Sequence, residues 1–347
     1  MDAVDALNEI AFWLERELAP AFKVLAFRKA AGIIGNLPAA EVAERARTGR
    51  LTGLKGIGGR SAEVIGQAVD GAVPDYLENL RRRGADPLTT GGRDLHASLR
   101  GDLHSHSDWS DGTTSIDLMV AAATVLGREY QALTDHSPNL TVASGLSAER
   151  LTEQLDVVAG INAEASASGT SGGAGVRLLT GIEVDILENG ELDQTPELLS
   201  RLDVVVASVH SKLRADSLSM TRRMLAGVRD EHTNVLGHCT GRLVGGGRGT
   251  RPPSTFDAGQ VFAACAEHDV AVEINSRPER QDPPDDLIRL ALDAGCLFSI
   301  DTDAHAPGHL DFLTYGAERA AANGVPADRI VTTWPVEKLL DWSRASR

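Results

Sequence analysis

The spacing of apolar residues changes once along the chain. From Val4 to Leu18 they recur at Leu7, Ile10, Ala11, Leu14 and Leu18, the period of a helix that buries one stripe. A second helix is expected from about Ala21 to Ile34. From residue 99 onward, short apolar runs alternate with helical stretches, and each run ends in a polar residue: YQALTDHS, RLLTGIEVDI, LDVVVASVHS, TNVLGHCTGR, VAVEINSRP and CLFSIDTDAH. Repeated strand-then-helix units with polar residues at strand ends predict an α/β barrel, where side chains from several strands converge on one face. A small all-α domain precedes it.

Between these regions Arg81-Arg82-Arg83-Gly84, Asp86-Pro87 and Thr89-Thr90-Gly91-Gly92 break the helical period. The expected domains are therefore residues 1–78, a linker at 79–98, and residues 99–347. The Arg triplet reads as a solvated helix end. No apolar run is long enough to span a membrane, and the first ten residues carry acids where a secretory leader needs bases, so a soluble cytoplasmic protein is expected. Cys239, Cys265 and Cys296 are too scattered for a disulfide framework or a zinc ribbon and are expected to be reduced.

Charge sharpens the division. The net charge is -15. Residues 1–98 hold equal numbers of acids and bases, so the whole excess belongs to the second part. Within residues 22–60, however, eight bases (Lys23, Arg28, Lys29, Arg45, Arg47, Arg50, Lys55 and Arg60) face only Glu41 and Glu44. The same region contains LTGLKGIGGRSAEVI, residues 51–65. Gly56 and Gly58 there allow close approach of a backbone to a phosphate, and the helix that follows offers free N–H groups and the positive end of its dipole. This is the pattern of a helix-hairpin-helix, with Lys29, Lys55, Gly56, Gly58 and Arg60 as candidate DNA contacts.

The candidate chemistry begins at residues 101–112, GDLHSHSDWSDG. In an extended strand His104 and His106 project from one face, and the Ser-Asp-Gly turn can bring Asp111 back over the strand end. Adding the polar ends of the later runs gives His104, His106, Asp111, His136, Glu183, His210, His238, Asp303 and His305. Any one histidine is more often structural than a ligand, but nine such residues at successive strand ends point to metal binding. The chemistry of His, Asp and Glu donors is compatible with Zn²⁺, Mn²⁺ or Fe²⁺.

Residues 7–75, through AFRKAAGII and LKGIGGRSAEVI, resemble the amino-terminal domain of family X DNA polymerases, which grips a DNA end and its 5′-phosphate. Some members use a hairpin lysine to remove deoxyribose phosphate. Val64 stands in its place here, so binding rather than lyase activity is implied. Residues 99–342, through DLHSHSDWSDG, LTDHS, GIEVDI, ASVHS, LGHCTGR, EINSRPERQD and IDTDAH, resemble the PHP (polymerase and histidinol phosphatase) domain fused to bacterial polymerases of that family. In those polymerases the polymerase core lies between the two parts, and residues 79–98 are too few to hold one. Polymerase activity is not expected.

The resemblance implies a distorted (β/α)7 barrel holding up to three divalent cations. His104, His106, Glu183 and Asp303 would serve one, Glu183, His210 and His238 a second, and Asp111, His136 and His305 a third. Cys239, where the family often has proline, is a soft donor beside His238 of a kind that favours zinc, although packing is the preferred account of it. Metal binding lowers the pKa of water from about 15.7 towards 7, so a metal-bound hydroxide is the expected nucleophile, with Glu183 and Asp303 at the reacting centre. Arg242 and Lys212 are candidate catalytic cations, and Arg277 and Arg280 candidate phosphate contacts. The leading expectation is a DNA-end exonuclease, repair-type nuclease or 3′-phosphatase. The alternatives are a small-molecule phosphatase of the histidinol-phosphate or nucleotide type, and a DNA-binding module without turnover.

Overall fold

Proline and aspartate punctuate the amino-terminal helices. In the computed structural model, which describes residues 1–167, 175–247 and 249–345, the Asp2 carboxylate accepts hydrogen bonds from the backbone of Val4 and Asp5 and caps α1 (Ala3–Arg16). Pro20, Pro38 and Pro74 immediately precede α2 (Ala21–Gly35), α3 (Ala39–Arg47) and α5 (Asp75–Gly84), while Gly58 precedes α4 (Gly59–Val69). Contacts divide the chain into two units, Met1–Pro87 and Leu88–Arg347. Most of the Gly/Ser-rich stretch at 165–175 lies outside the described residues.

In the first unit the α1 stripe Leu7, Ile10, Ala11 and Leu14 packs with Phe27, Ile34, Val64, Ile65, Leu77 and Leu80. The Arg triplet forms the solvated last turn of α5, as expected, and two of its members also clamp that helix to α1: Arg81 donates twice to Glu9, both at 2.6 Å, and Arg83 donates to Glu17 at 3.1 and 2.9 Å. Gly84 completes the contact, because a Cβ there would stand 2.2 Å from the Trp13 ring.

The rest of the expected linker is also structured. Thr90 and Gly91 donate backbone hydrogen bonds to Glu318, and Gly92, at φ 69°, leads into α6 (Arg93–Ser98). A Cβ on Gly92 would lie 2.5 Å from the Glu318 backbone nitrogen. Residues 88–98 therefore pack with the second unit, and the division falls at Pro87.

The second unit is a parallel barrel of β1 (Gly101–Asp102), β2 (Tyr130–Leu133), β3 (Arg177–Asp185), β4 (Val204–Ser208), β5 (Val235–Leu236), β6 (Ala271–Asn275) and β7 (Phe298–Asp301), paired in sequence order. The helices α7 (Ile116–Val125), α8 (Ala148–Ala167), α9 (Pro196–Leu199), α10 (Ser217–Val228), α11 (Ala258–Glu267), α12 (Asp285–Asp293) and α13 (Leu313–Ala322) fall between or after the strands, and α14 (Val336–Ala345) ends the chain. The barrel nearly closes. Beyond β1 and β7, Ser105 bridges Ala304, and the His106 N–H donates to the Ala304 carbonyl at 2.8 Å.

Strand alternation sorts β4 between two cores. Val205 and Ala207 face Met220, Met224 and Phe262 of α10 and α11. Val204 and Val206 join Leu103, Tyr130, Leu179, Val235 and Ala271 inside the barrel, where Leu339 and Leu340 of α14 meet the strand starts. The starts are thus filled with apolar side chains, and the polar residues gather at the carboxyl ends. Among the described residues no helix is long and apolar enough to cross a membrane.

Candidate metal centre

Glu183 lies on β3 with both carboxylate oxygens buried. Its Oε1 is 3.2 Å from His210 Nε2 and 2.8 Å from His238 Nε2. Its Oε2 is 3.2 Å from His104 Nε2, 3.6 Å from His106 Nε2 and 2.9 Å from His136 Nδ1. Five imidazoles from four strand ends therefore surround one carboxylate. His106 Nε2 also lies 3.4 Å from Asp303, while Asp111 is 3.4 Å from His136 and 3.2 Å from His305.

All nine candidate ligands thus come together. Their donor atoms form four overlapping groups, each within 4.8 Å: His106, Asp111, His136 and His305; His104, Glu183 and His238; His104, His106 and Asp303; His136, Glu183 and His210. The three groups expected from sequence therefore share residues: His106, expected in the first, also stands with Asp111, His136 and His305, and His136, expected in the third, also stands with Glu183 and His210. Cys239 is in none of these groups. Its side chain is buried in the apolar core, and burial pushes its thiol well up, so it packs rather than presenting a thiolate.

The cluster has too few hydrogen bonds for its burial. Both oxygens of Glu183, Nε2 of His104 and His210, and both ring nitrogens of His106 and His238 are buried without a hydrogen-bond partner. Polar atoms in this state are costly, and a divalent cation among them would satisfy several at once. Electrostatics agree. Burial works against charge on Glu183, yet the surrounding His104, His210 and His136 hold it well below the ordinary carboxylate range. Asp303 is held well below its range by Arg280 against the same burial. Burial, reinforced by His305 and His136, pushes His106 down to about 3, favouring the neutral imidazole that a metal requires.

A second layer of carboxylates orients the rings, and the sequence reading missed it. Glu273 on β6 lies 2.6 Å from His104 Nδ1 and accepts the His238 backbone N–H at 2.5 Å. Asp185 on β3 lies 2.5 Å from His210 Nδ1. Both contacts leave Nε2 facing Glu183, the usual way a metal-binding imidazole is aimed. A signal was present, since Asp185 is two residues from Glu183 on the same strand face and Glu273 ends the apolar run VAVE. Beneath them Asp102 accepts from the His104 and Thr302 backbones. Burial raises Asp102 to about 6, and burial together with Asp102 raises Asp301.

The candidate cations separate. Arg280 is buried, donates to Asp303 at 2.9 Å and lines the cleft above the cluster. Arg277 reaches Glu279 and the Asp303 carbonyl and lies 3.0 Å from His305 Nδ1. Arg242 turns away and donates to the backbone carbonyls of Arg280 and Gln281, so it ties a loop together. Lys212 is exposed and does not line the cleft. Arg251, which nothing in its sequence context singled out, does line the cleft, with Nε donating to the Gly241 carbonyl at 2.6 Å.

In the helical unit, Gly56 sits at φ 108°, and a Cβ there would stand 2.6 Å from the Lys29 side chain, so the hairpin turn and Lys29 are neighbours. Lys55 is exposed, Gly58 leads α4, and Arg60 pairs with Glu63 at 2.8 Å. The other arginines of the basic stretch are largely compensated: Arg28 pairs with Glu15, Arg45 with Glu41, and Arg47 and Arg50 with Glu44. Among the described residues Lys23, Lys29 and Lys55 form no ion pair, so the local positive charge is narrower than the sequence count implied.

A parallel barrel whose strand ends bring histidines and carboxylates around one buried glutamate defines an α/β-barrel protein of metal-binding type. Comparison with known proteins narrows that class. The PHP domain model matches residues 102–277 and a helix-hairpin-helix domain model matches residues 1–72. The chain belongs to the PHP domain family, with a helix-hairpin-helix domain ahead of the barrel.

The chain is 36% identical over 222 residues to the Bacillus subtilis DNA polymerase/3′-5′ exonuclease PolX, an alignment covering 64% of this chain and 37% of that protein. It is 29% identical over 168 residues to a probable phosphatase of Vibrio parahaemolyticus, covering 46% and 64%, and 27% identical over 262 residues to one of Proteus mirabilis, covering 73% and 94%. It thus spans about a third of the Bacillus protein and under two thirds of the Vibrio one. A solved histidinol phosphate phosphatase of Lactococcus lactis, in complex with zinc, L-histidinol and phosphate, matches with TM-score 0.45 at 18% identity, covering 71% of this chain and 94% of that one.

Proposed function

We propose that this protein hydrolyses phosphoester bonds at DNA ends, as a metal-dependent exonuclease, repair-type nuclease or 3′-phosphatase without polymerase activity. The observation that carries the reading is the pairing of two parts on one chain: the glycine turn at Gly56 to Gly58 beside Lys29 and Lys55, and the partnerless buried donors around Glu183.

His104, His106, Asp111, His136, Glu183, His210, His238, Asp303 and His305 would hold the cations. Bound divalent cations, Zn²⁺ or Mn²⁺ by donor chemistry, supply an activated water and neutralise charge on the phosphoryl group. Glu183, central to the donors, sets the spacing of the centre. Glu273 and Asp185 keep the imidazoles aimed at it. Arg280 fixes Asp303 through Nε, and its Nη1 has no hydrogen-bond partner, which suits it to bind a non-bridging phosphoryl oxygen. The hairpin turn and the free amide groups opening α4 would hold a DNA phosphate at the helical unit, drawing a polyanion to an otherwise acidic chain.

The test is metal-reconstituted full-length protein on 5′-labelled and 3′-labelled oligonucleotides. Cleavage is expected, abolished in His104→Ala/His106→Ala and weakened in Lys29→Glu/Lys55→Glu, most at low salt and less as salt screens the phosphate contacts. Turnover of p-nitrophenyl phosphate or histidinol phosphate without cleavage of DNA would establish the second reading, a small-molecule phosphatase. That reading is favoured by the nearly full-length match to the Proteus protein.

A further inference from the structure

The cleft over the metal centre is lined by two unlike sets of side chains. One is Arg251 and Arg280. The other is apolar and comes from two loops: Leu140 and Val142 around the short turn after β2, and Val209 and Leu213 after β4. Val209 is buried, Leu140 and Leu213 are half-buried, and Val142 is 92% exposed. A lone exposed valine on a surface needs no explanation. Four apolar side chains lining the cleft of a charged centre are different, because the metal ligands and the arginines already provide for the phosphoryl group and the apolar lining does nothing for an anion.

We infer that the rim formed by Leu140, Val142 and Leu213 seats the base and sugar of the terminal nucleotide while its phosphate lies over the metal centre. This inference rests on the DNA-end reading and adds the part of the substrate that the reading leaves open. The occupant follows from the chemistry of the apolar lining. A nucleobase presents a flat face of low polarity, and a deoxyribose is largely hydrocarbon, so both gain by leaving water against aliphatic side chains. Aliphatic groups offer no donors or acceptors to base edges, so the seat accepts any base; identity would have to be read by hydrogen bonds. The rim thus confers a requirement for a base with indifference to which base it is.

The experiment uses metal-loaded full-length protein and two sets of oligodeoxynucleotides, one ending in each of the four bases and one ending in a tetrahydrofuran abasic residue. Wild type is compared with Val142→Asn and with Val125→Asn. Val125, on α7, is 86% exposed and outside the cleft, so it controls for loss of a surface valine. Circular dichroism checks the fold of each variant.

The seat predicts equal KM for the four bases. It also predicts a KM about tenfold higher for the abasic end, the scale set by burying one aliphatic-sized surface. Val142→Asn should raise KM for base-ended DNA several-fold towards the abasic value, with little effect on the abasic substrate, while Val125→Asn changes neither. Cleavage with the same KM for base and abasic ends, or equal effects of the two valine variants, would overturn the seat while leaving the nuclease reading intact. Failure of loaded wild type to cleave either set would overturn both.

Discussion

Glu273 shows how much of this centre depends on single atoms that never face the reaction. Its carboxylate meets His104 Nδ1 and the His238 backbone N–H, so it aims one imidazole and holds the loop of another. Glu273→Gln keeps the volume but presents an amide to the ring, which favours the wrong tautomer of His104. The expected result is a 10- to 100-fold loss of metal affinity, of the order seen when outer partners of metal-bound histidines are removed. Metal titration followed by elemental analysis checks it, and an unchanged affinity would assign Glu273 a packing role. Sequence pattern marked His104 and His106 by their alternation, Asp111 by its Ser-Asp-Gly turn, and the other six candidate ligands by their places at the ends of apolar runs. It passed over Glu273 and Asp185, although both stand at the ends of apolar runs, because position along a strand does not show which imidazole a carboxylate will meet across the barrel.

At the scale of elements, the packing of α5 on α1 shows the limit of reading composition. Three consecutive arginines ahead of a glycine are the solvated helix end they look like, but composition does not tell that Arg81 and Arg83 also face Glu9 and Glu17 across the helix pair. Exposed pairs of this kind contribute at most about 1 kcal/mol each. The close approach itself depends more on Gly84, since a side chain there meets the Trp13 ring. Gly84→Ala is therefore expected to lower stability by about 1–3 kcal/mol through overpacking, read by chemical or thermal unfolding. A change within error would mean that Trp13 has room to swing aside. The strands were more legible than this helix contact, because uninterrupted apolar runs such as VVVAS are buried on both faces and need no partner to be recognised.

For the whole molecule, the proposed function gives the two units two separate physical tasks. Metal removal by a chelator is expected to abolish phosphoester hydrolysis in the full chain while leaving salt-sensitive retention of DNA, because phosphate contacts at the hairpin require no cation. Turnover and electrophoretic mobility shift, each measured before and after chelation, give the two readouts. DNA retention lost together with the metal would place the binding surface on the barrel and remove the reason for assigning it to the helical unit.

The order of strands and helices, the identity of the nine candidate ligands and the presence of a glycine hairpin were determined by sequence alone. Each is a local pattern: a period, a run that ends in a polar residue, or a turn that only glycine fits easily. Tertiary structure alone decided that five of the histidines meet one glutamate, that Arg280 lines the cleft while Arg242 binds a loop, and that the expected linker is divided between the two units. These depend on groups far apart in the chain being brought within hydrogen-bonding distance. Burial then makes an unpartnered nitrogen or oxygen costly, so the cluster is defined by the contacts its members lack as much as by those they make.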